Sequence, residues 1–508
     1  MGVIRKLASQ TAVYGLSTML GRFLNFLLIP LYLSKLGGSA DYGMVSVLFT
    51  YSSFLAIVFA AGLETAFFQF SRLSKEPEKV LSSAVCFLFF SGVIALIVSQ
   101  CFAKQIMAFI GYPNYPQFAQ YFAIILAADA ITSLGFAWLR QQEKPWAFAW
   151  IRYSNIGVNI GANLFFFLGC PFLATFIGNT EPIMGIHTET WQKLGLWFAK
   201  QSETAQMIEN IFISNLLASL IVLPLMAKIW RNLKWGFDAL LTKKMLVYSL
   251  PLVLVGLAGM VNETLDRILL KELLPSNTAD ADIGIYSAFY KLSLVLTLFI
   301  QAFRFAAEPF FFGKAADQDA PQTYALVMRY FVYVTGGIYL LTLVCLPWLA
   351  PLLLRKSLYY NDVRGLSIVP ILLAANLCLG IYYNLSIWYK LTGKTRIGSL
   401  IAITGASITI FGNLVFIPQY GFIASAYVTL AAYGSLVILG YLFGQRYYPV
   451  PYQTKLILGV LGMAIVPVLL LHYLLPDLPK MFFLLLPLFY TMTIVYIEKL
   501  QQKKNGIH

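Results

Sequence analysis

Uncharged stretches of membrane-spanning length recur from one end of this chain to the other, and they leave few folds open to it. Ile397 to Gln445 is 49 residues without a charge, Val80 to Ala103 is 24, and Leu456 to Pro476 is 21. A hydrocarbon core about 30 Å thick is crossed by ~20 apolar residues in a helix. Lipid satisfies no backbone polar group, so such runs must be helices that keep their hydrogen bonds internal. Hydrophobic residues make up 59% of the 508 and charged residues 11%, against about 25% charged in a soluble domain. That balance excludes a soluble globular protein, a disordered chain and a disulfide scaffold. The end-to-end distribution excludes a single membrane anchor. The five cysteines (Cys86, Cys101, Cys170, Cys345, Cys378) lie in or beside apolar segments, with neither metal nor disulfide spacing.

The pattern predicts an all-α integral membrane protein with 14 transmembrane helices, at 8–33, 41–64, 80–102, 118–139, 147–170, 208–227, 246–270, 283–306, 327–353, 366–389, 397–417, 422–444, 454–475 and 479–498. Pro418-Gln419-Tyr420-Gly421 reads as the tight turn between spans 11 and 12. Span 1 is too long for a signal peptide and has no small-residue cleavage site, so it is expected to be retained.

Orientation follows from Lys and Arg in the loops. With a cytoplasmic N-terminus, 22 of the 36 fall on inside segments and 9 outside, and the other five (Arg22, Arg152, Arg267, Lys291, Arg304) lie within spans. Both termini are therefore expected to be cytoplasmic. The net charge of +14 is then a topology signal facing anionic membrane lipids, and no nucleic acid is needed to explain it.

An internal repeat sets the domain plan. Asp41-x-Gly43-x-x-Ser46 recurs as Asp282-x-Gly284-x-x-Ser287, 241 residues on. Trp138-x-Arg140-x3-Lys144 recurs as Trp388-x-Lys390-x3-Lys394, and Asn163-Leu164 as Asn413-Leu414, both 250 residues on. Each half is six spans, an even number, so the repeat is parallel about an axis normal to the membrane, a plan used by secondary transporters. The expected divisions are an N-lobe at 1–227, a basic linker at 228–245 with the form of an amphipathic cytoplasmic helix, a C-lobe at 246–445, and two extra helices with a tail at 446–508. The long outside loop, 171–207, places Trp191, Leu194, Trp197 and Phe198 on one helical face. That fits an interfacial helix anchored in the outer headgroups, with a substrate-contacting cap as the alternative.

Charges within spans are costly and mark functional candidates. Arg22 lies near the middle of span 1 beside Asn25, and Asp129 near the middle of span 4. On span 5, Arg152, Asn155, Asn159 and Asn163 follow at spacings of three and four, which is one helix face. Span 7 carries Asn262, Glu263, Asp266 and Arg267; span 8 carries Lys291 and Arg304. Arg22 and Lys291 are the expected binders of an anionic group, with Arg152, Asn155, Asn159 and Asn163 lining its path. Asp129, Asp266 and Glu263 are expected to balance those cations or couple to an ion. The competing account makes Arg22–Asp129 and Lys291–Asp266 permanent structural pairs, and Asp266–Arg267 is itself a candidate pair. Glu64, Arg304 and Glu308 lie near the inner interface, where ion pairing or snorkelling explains them.

Catalytic patterns are lacking. The three histidines, His187, His472 and His508, have no carboxylate–nucleophile constellation, and no HExxH, CxxC, P-loop or GxSxG sequence occurs. The chain is expected not to be an enzyme and to carry no cofactor. Active transport would run on H⁺ or Na⁺, on membrane potential, or on the substrate gradient.

Several stretches resemble the polysaccharide transporter family, the Wzx-type flippase branch of the multidrug/oligosaccharidyl-lipid/polysaccharide (MOP, MATE-like) superfamily. They are Leu36-Gly37 with Asp41-Tyr42-Gly43; Gly62-Leu63-Glu64-Thr65-Ala66-Phe67-Phe68-Gln69-Phe70; Thr264-Leu265-Asp266-Arg267; Ile283-Gly284-Ile285-Tyr286-Ser287-Ala288-Phe289-Tyr290-Lys291; and Asn384-Leu385-Ser386-Ile387-Trp388-Tyr389-Lys390. The resemblance covers nearly the whole chain. It implies two six-helix lobes around a central cavity, and flipping of an undecaprenyl-diphosphate-linked oligosaccharide across the bacterial inner membrane, with a polysaccharide polymerase as a partner. The 171–207 loop departs from the family, which keeps this segment short. Two rivals stand beside it: a drug/cation antiporter of the same superfamily, which would carry an acid rather than Arg22 in helix 1, and a membrane polysaccharide ligase or polymerase.

Overall fold

A computed structural model describes residues 15, 17, 19–180, 188–233, 235–315, 317–474 and 485–504. Among the described residues there is no β-strand. Helix α1 covers 19–27 and passes a turn at Leu28 into Ile29–Lys35. Helix α2 is Ser39–Ala60, resumed as Leu63–Leu73; α3 is Pro77–Phe109; α4 is Gln117–Gln141. Helix α5 runs as Pro145–Leu164, takes one π-helical turn at Phe165–Gly169, and continues as Cys170–Gly178. There follow α6 (Thr204–Leu225), α7 (Ala239–Leu273), α8 (Ala279–Lys314) and α9 (Ala320–Leu354). Helix α10 is Val363–Leu385 with a short continuation, Ile387–Leu391. The last four are α11 (Thr395–Tyr420), α12 (Phe422–Tyr447), α13 (Thr454–Leu474) and α14 (Leu485–Lys504).

Among the described residues, 11 helices are long and apolar enough to cross a membrane, and they are α2 to α12. They overlap predicted spans 2–12 but run longer, and α5, which reaches Gly178, takes 171–178 from the predicted outside loop. Spans 1, 13 and 14 fall partly outside the described residues, as do His187, His508 and the segment 475–484. The side chains of Glu308 and His472 are outside them as well.

Local chemistry sets the helix ends. Pro77 and Pro145 open α3 and α5, where a missing N–H costs nothing. Asp238 and Asp362 cap α7 and α10, accepting from the N–H of Leu241 at 2.9 Å and Gly365 at 2.8 Å. Gly421, at φ +60°, is the single residue between α11 and α12, so the expected turn is tighter than its sequence suggests.

The chain forms two compact units, Met1–Gly284 and Ile285–His508, and α8 runs from one into the other. In the first, α3 packs on α4, α5 on α6, and α7 on both segments of α2. Its core includes Leu63, Phe67, Val80, Leu81, Leu134 and Met245, all essentially buried. In the second, α10 packs on α12, and α9 on α13 and α14. Helix α10 approaches α8 closely at Gly365, where any Cβ would collide with Phe289. Asn376 donates to Ser293 Oγ across the same interface at 3.0 Å. The division by packing thus lies one helix beyond the division by repeat, because α7 and the first turn of α8 bury their faces against α2.

Two local expectations change. The 228–245 linker is not one amphipathic helix. Only Ala227–Asn232 is helical before α7, because Gly236 and Asp238 are pinned to α3: each donates its N–H to a serine, Ser82 at 2.8 Å and Ser83 at 3.1 Å. In the long loop, Thr188–Lys200 is indeed a helix, but Trp191 does not point to headgroups. It is buried, donates to the Thr180 carbonyl at 3.3 Å, and helps hold the helix on the end of α5, where Gly195 abuts Ile177. Leu194, Leu196 and Trp197 are the exposed large apolar residues of that helix. Helix α5 with its π turn is 34 residues, about 51 Å at 1.5 Å per residue, longer than the hydrocarbon core.

Candidate functional site

The polar residues of α1 and α5 meet in a ladder. Gly21 lets α1 close on α5, since a Cβ there would lie 2.9 Å from Ile156 Cδ1. Above it, Asn159 donates to Asn25 Oδ1 at 3.1 Å. Tyr32 donates to Asn163 Oδ1 at 2.8 Å, and Asn163 Nδ2 donates to the Asn159 carbonyl at 2.8 Å and to its Oδ1 at 3.1 Å. Asn155 turns the other way and donates to the Ala218 carbonyl of α6 at 2.6 Å. The predicted stripe is real, but Asn159 and Asn163 are buried and spent on holding α1 to α5. A buried amide left unpartnered would cost about 1–3 kcal/mol, so these bonds fix the register. Arg22, one turn from Asn25, is left exposed on α1.

Charges gather beside this ladder. Arg152, half-buried on α5, sits with its guanidinium 5.4 Å from the Phe136 ring centroid. Asp129, Arg22, Arg140 and Glu64 all lie within its electrostatic range. Asp129 is hydrogen-bonded by Ser219. Arg140, at the end of α4, is ion-paired through Nη2 to Glu64 Oε1 and lies 5.2 Å from the Phe68 ring centroid. Among these described groups, guanidiniums outnumber carboxylates. Arg152 thus lies near Asp129, Arg22 lies within reach of Arg152, and Glu64 pairs with Arg140.

The other candidates have different settings. Asp266 is buried and held by its neighbour, with Arg267 Nη1 at 3.0 Å and the Arg267 N–H at 2.8 Å. Arg267 also reaches the Glu263 carbonyl at 3.3 Å, while the Glu263 side chain is exposed. Lys291 is half-buried on α8 in the second unit.

At the opposite end of the first unit lies a cluster that the sequence did not single out. Gly43 and Gly284, the repeat glycines, face one another's helices. A Cβ on Gly43 would collide with the Asp280 carbonyl, and one on Gly284 with the Ser39 carbonyl. Beside them Lys271 holds both Asp280 oxygens at 2.8 Å, Tyr112 donates to Asp280 at 2.7 Å, and the ammonium sits 4.4 Å from the Tyr112 ring centroid. The signal was there: Asp280 is two residues from the repeated Asp282-x-Gly284. Among the described residues, no three His, Cys, Asp or Glu side chains come together to hold a metal ion.

Comparison with known proteins gives this geometry a context. Residues 204–312 match the family described as "Polysaccharide biosynthesis protein". No curated protein matches the chain in sequence. Among solved structures, the chain is similar to "Lipid II flippase MurJ, inward closed conformation", with a TM-score of 0.67 and 16% identity over 97% of this chain and 99% of that one. It is also similar to an inward-facing multidrug resistance MATE family transporter of the MOP superfamily, with a TM-score of 0.61 and 13% identity over 86% of this chain and 94% of that one. A MOP superfamily transporter from Pyrococcus furiosus, described as having a binding pocket of reverse polarity, gives 0.51 and 12% over 86% and 95%. The fold is therefore that of the MOP-superfamily membrane transporters, as the sequence resemblance implies. The proteins that share it here are flippases and transporters, not enzymes.

Proposed function

We propose that this chain is a flippase that moves undecaprenyl-diphosphate-linked oligosaccharide units from the cytoplasmic to the periplasmic leaflet of the bacterial inner membrane, for O-antigen, capsule or exopolysaccharide synthesis. The six-helix lobes 1–227 and 246–445 would alternate access by rocking, with both termini cytoplasmic. The observation that carries this is the cation surplus of Arg22, Arg152 and Arg140 over Asp129 and Glu64 in one membrane bundle. A diphosphate entering a low-dielectric site loses hydration that only fixed positive charge replaces. Guanidinium forks match phosphate oxygens bidentately.

Arg22 takes the leading role because it is exposed and its helix is fixed by Gly21 and Asn25. Lys291, on α8, is a separate candidate cation of the second unit. Arg152 is balanced by Asp129 when the site is empty. The hydrogen bonds of Asn155, Asn159 and Asn163 suit positioning of α1 and α6 more than contact with sugar hydroxyls. With Asp266 engaged by Arg267, the exposed Glu263 and Asp129 are the better places for H⁺ or Na⁺ coupling. A polysaccharide polymerase would receive the delivered unit. The match of 204–312 to a polysaccharide biosynthesis family supports this substrate class over drugs. Helix α1 also carries Arg22 where a cation antiporter would need an acid.

A deletion strain tests the proposal. Lipid-linked glycan should accumulate on the inner leaflet and be rescued by the wild-type chain. Accumulation of finished polymer unattached outside would indicate a ligase instead.

A further inference from the structure

We propose that Arg140 is the first docking point of the diphosphate, and that Glu64 is the counter-ion it exchanges for substrate. This rests on the flippase function proposed above and names how its site is loaded.

The pair is built, not incidental. Helix α2 breaks at Ala61 (φ +48°) and Gly62 (φ +63°), both left-handed, and a Cβ on Gly62 would meet Ser249 Cβ at 2.9 Å. The break starts a new helix at Leu63, and Glu64 falls in its first turn. Beneath it Leu63, Phe67, Leu134 and Ala137 are buried, with Trp138 packed against them. On this apolar floor the two charged side chains stay 34% and 41% exposed, which leaves them open to a ligand.

The pairing is incomplete on the Arg140 side. One terminal nitrogen holds Glu64, while Nε is buried with no hydrogen-bond partner, as is Gln141 Oε1 beside it. A guanidinium has five donors in a fixed fork. One carboxylate uses a single edge here, whereas a diphosphate brings more acceptor oxygens and more charge. An ion pair this exposed is worth at most about fivefold in an equilibrium constant, so opening it is cheap. A diphosphate can take the guanidinium fork bidentately and brings more negative charge than the single carboxylate it replaces, so exchange is favoured.

The next cation stands at the right remove. Arg152 is 12 residues further along the chain and seven into α5, about 10 Å along that helix. Arg140, Glu64 and Arg22 all lie within its electrostatic range. The three guanidiniums form a graded path from the end of α4 into the bundle. Glu64, released from Arg140, repels the diphosphate onward.

The test is binding of farnesyl diphosphate to the purified full-length chain in detergent. Glu64→Gln should bind it about two- to fivefold more tightly, because the competitor is gone. Arg140→Gln should bind about tenfold more weakly. The double substitution should match Arg140→Gln alone, since Glu64 acts only through Arg140. Arg140→Lys, which retains an ion pair, stands in if Arg140→Gln does not fold, and should also bind more weakly. A purely structural pair would weaken binding in both single variants and recover it in the double. That result, or no change in any variant, overturns the docking role. If Arg22→Lys still weakens binding, the flippase function survives it. If the wild type does not bind farnesyl diphosphate, both fall together.

Discussion

The two ends of the first unit are built on opposite terms. At the Gly43 end, α2 and α8 meet with no room for a methyl group, and Lys271, Asp280 and Tyr112 satisfy one another at 2.7–2.8 Å with side chains of the ion pair only 13% and 25% exposed. At the Arg140 end, charges are half-exposed, the acids are outnumbered, and a guanidinium nitrogen lacks a partner. The first arrangement has nothing left to offer a ligand. The second holds charge in reserve. Shared chemistry thus serves different ends: where an ion pair is buried and saturated it fixes a helix crossing, and where it is exposed and unequal it can exchange partners.

Substitutions separate the two. The largest effect should come from Gly43→Leu or Gly284→Leu. The colliding groups are backbone carbonyls, which cannot rotate away, so about 3 kcal/mol or more should be lost. Detergent thermal unfolding and membrane abundance report it, and wild-type values would mean the crossing is looser than described. Next, Lys271→Met strands the Asp280 carboxylate. It should cost about 3 kcal/mol by the same measure, at the low end for a buried pair because Asp280 is partly exposed. Tyr32→Phe removes one bond to the fully buried Asn163 and should cost about 1 kcal/mol. Smallest of all, Glu64→Gln should change thermal stability by less than about 1 kcal/mol. A Glu64→Gln loss as large as that of Lys271→Met would erase the contrast between the ends.

Much of the fold was legible in the sequence because lipid imposes one strong rule, and apolar runs, some interrupted by a charge such as Lys291 in α8, marked α2 to α12. The repeat was legible too, and its glycines prove to be the tight crossing of α2 and α8. What stayed hidden depends on partners distant in the chain. Spacing placed Asn155, Asn159 and Asn163 on one face but could not say that Tyr32 and Asn25 would consume two of them. The linker's amphipathic pattern could not reveal that Ser82 and Ser83 hold Gly236 and Asp238, between its two helical stretches. Glu64 read as an interfacial charge, and only the left-handed break at Ala61–Gly62 shows why it reaches Arg140. Trp191 carried the pattern of a headgroup anchor and serves as packing against α5.

In the proposed flippase, the exposed guanidinium of Arg22 would carry the lipid diphosphate across the membrane. Arg22→Lys keeps the charge and loses the bidentate fork. The measurement is the leaflet distribution of lipid-linked glycan in cells that carry this variant alone, at matched membrane abundance. Glycan should be stranded on the inner leaflet, with export reduced at least about tenfold. Export at the wild-type rate from Arg22→Lys at equal protein level would contradict it.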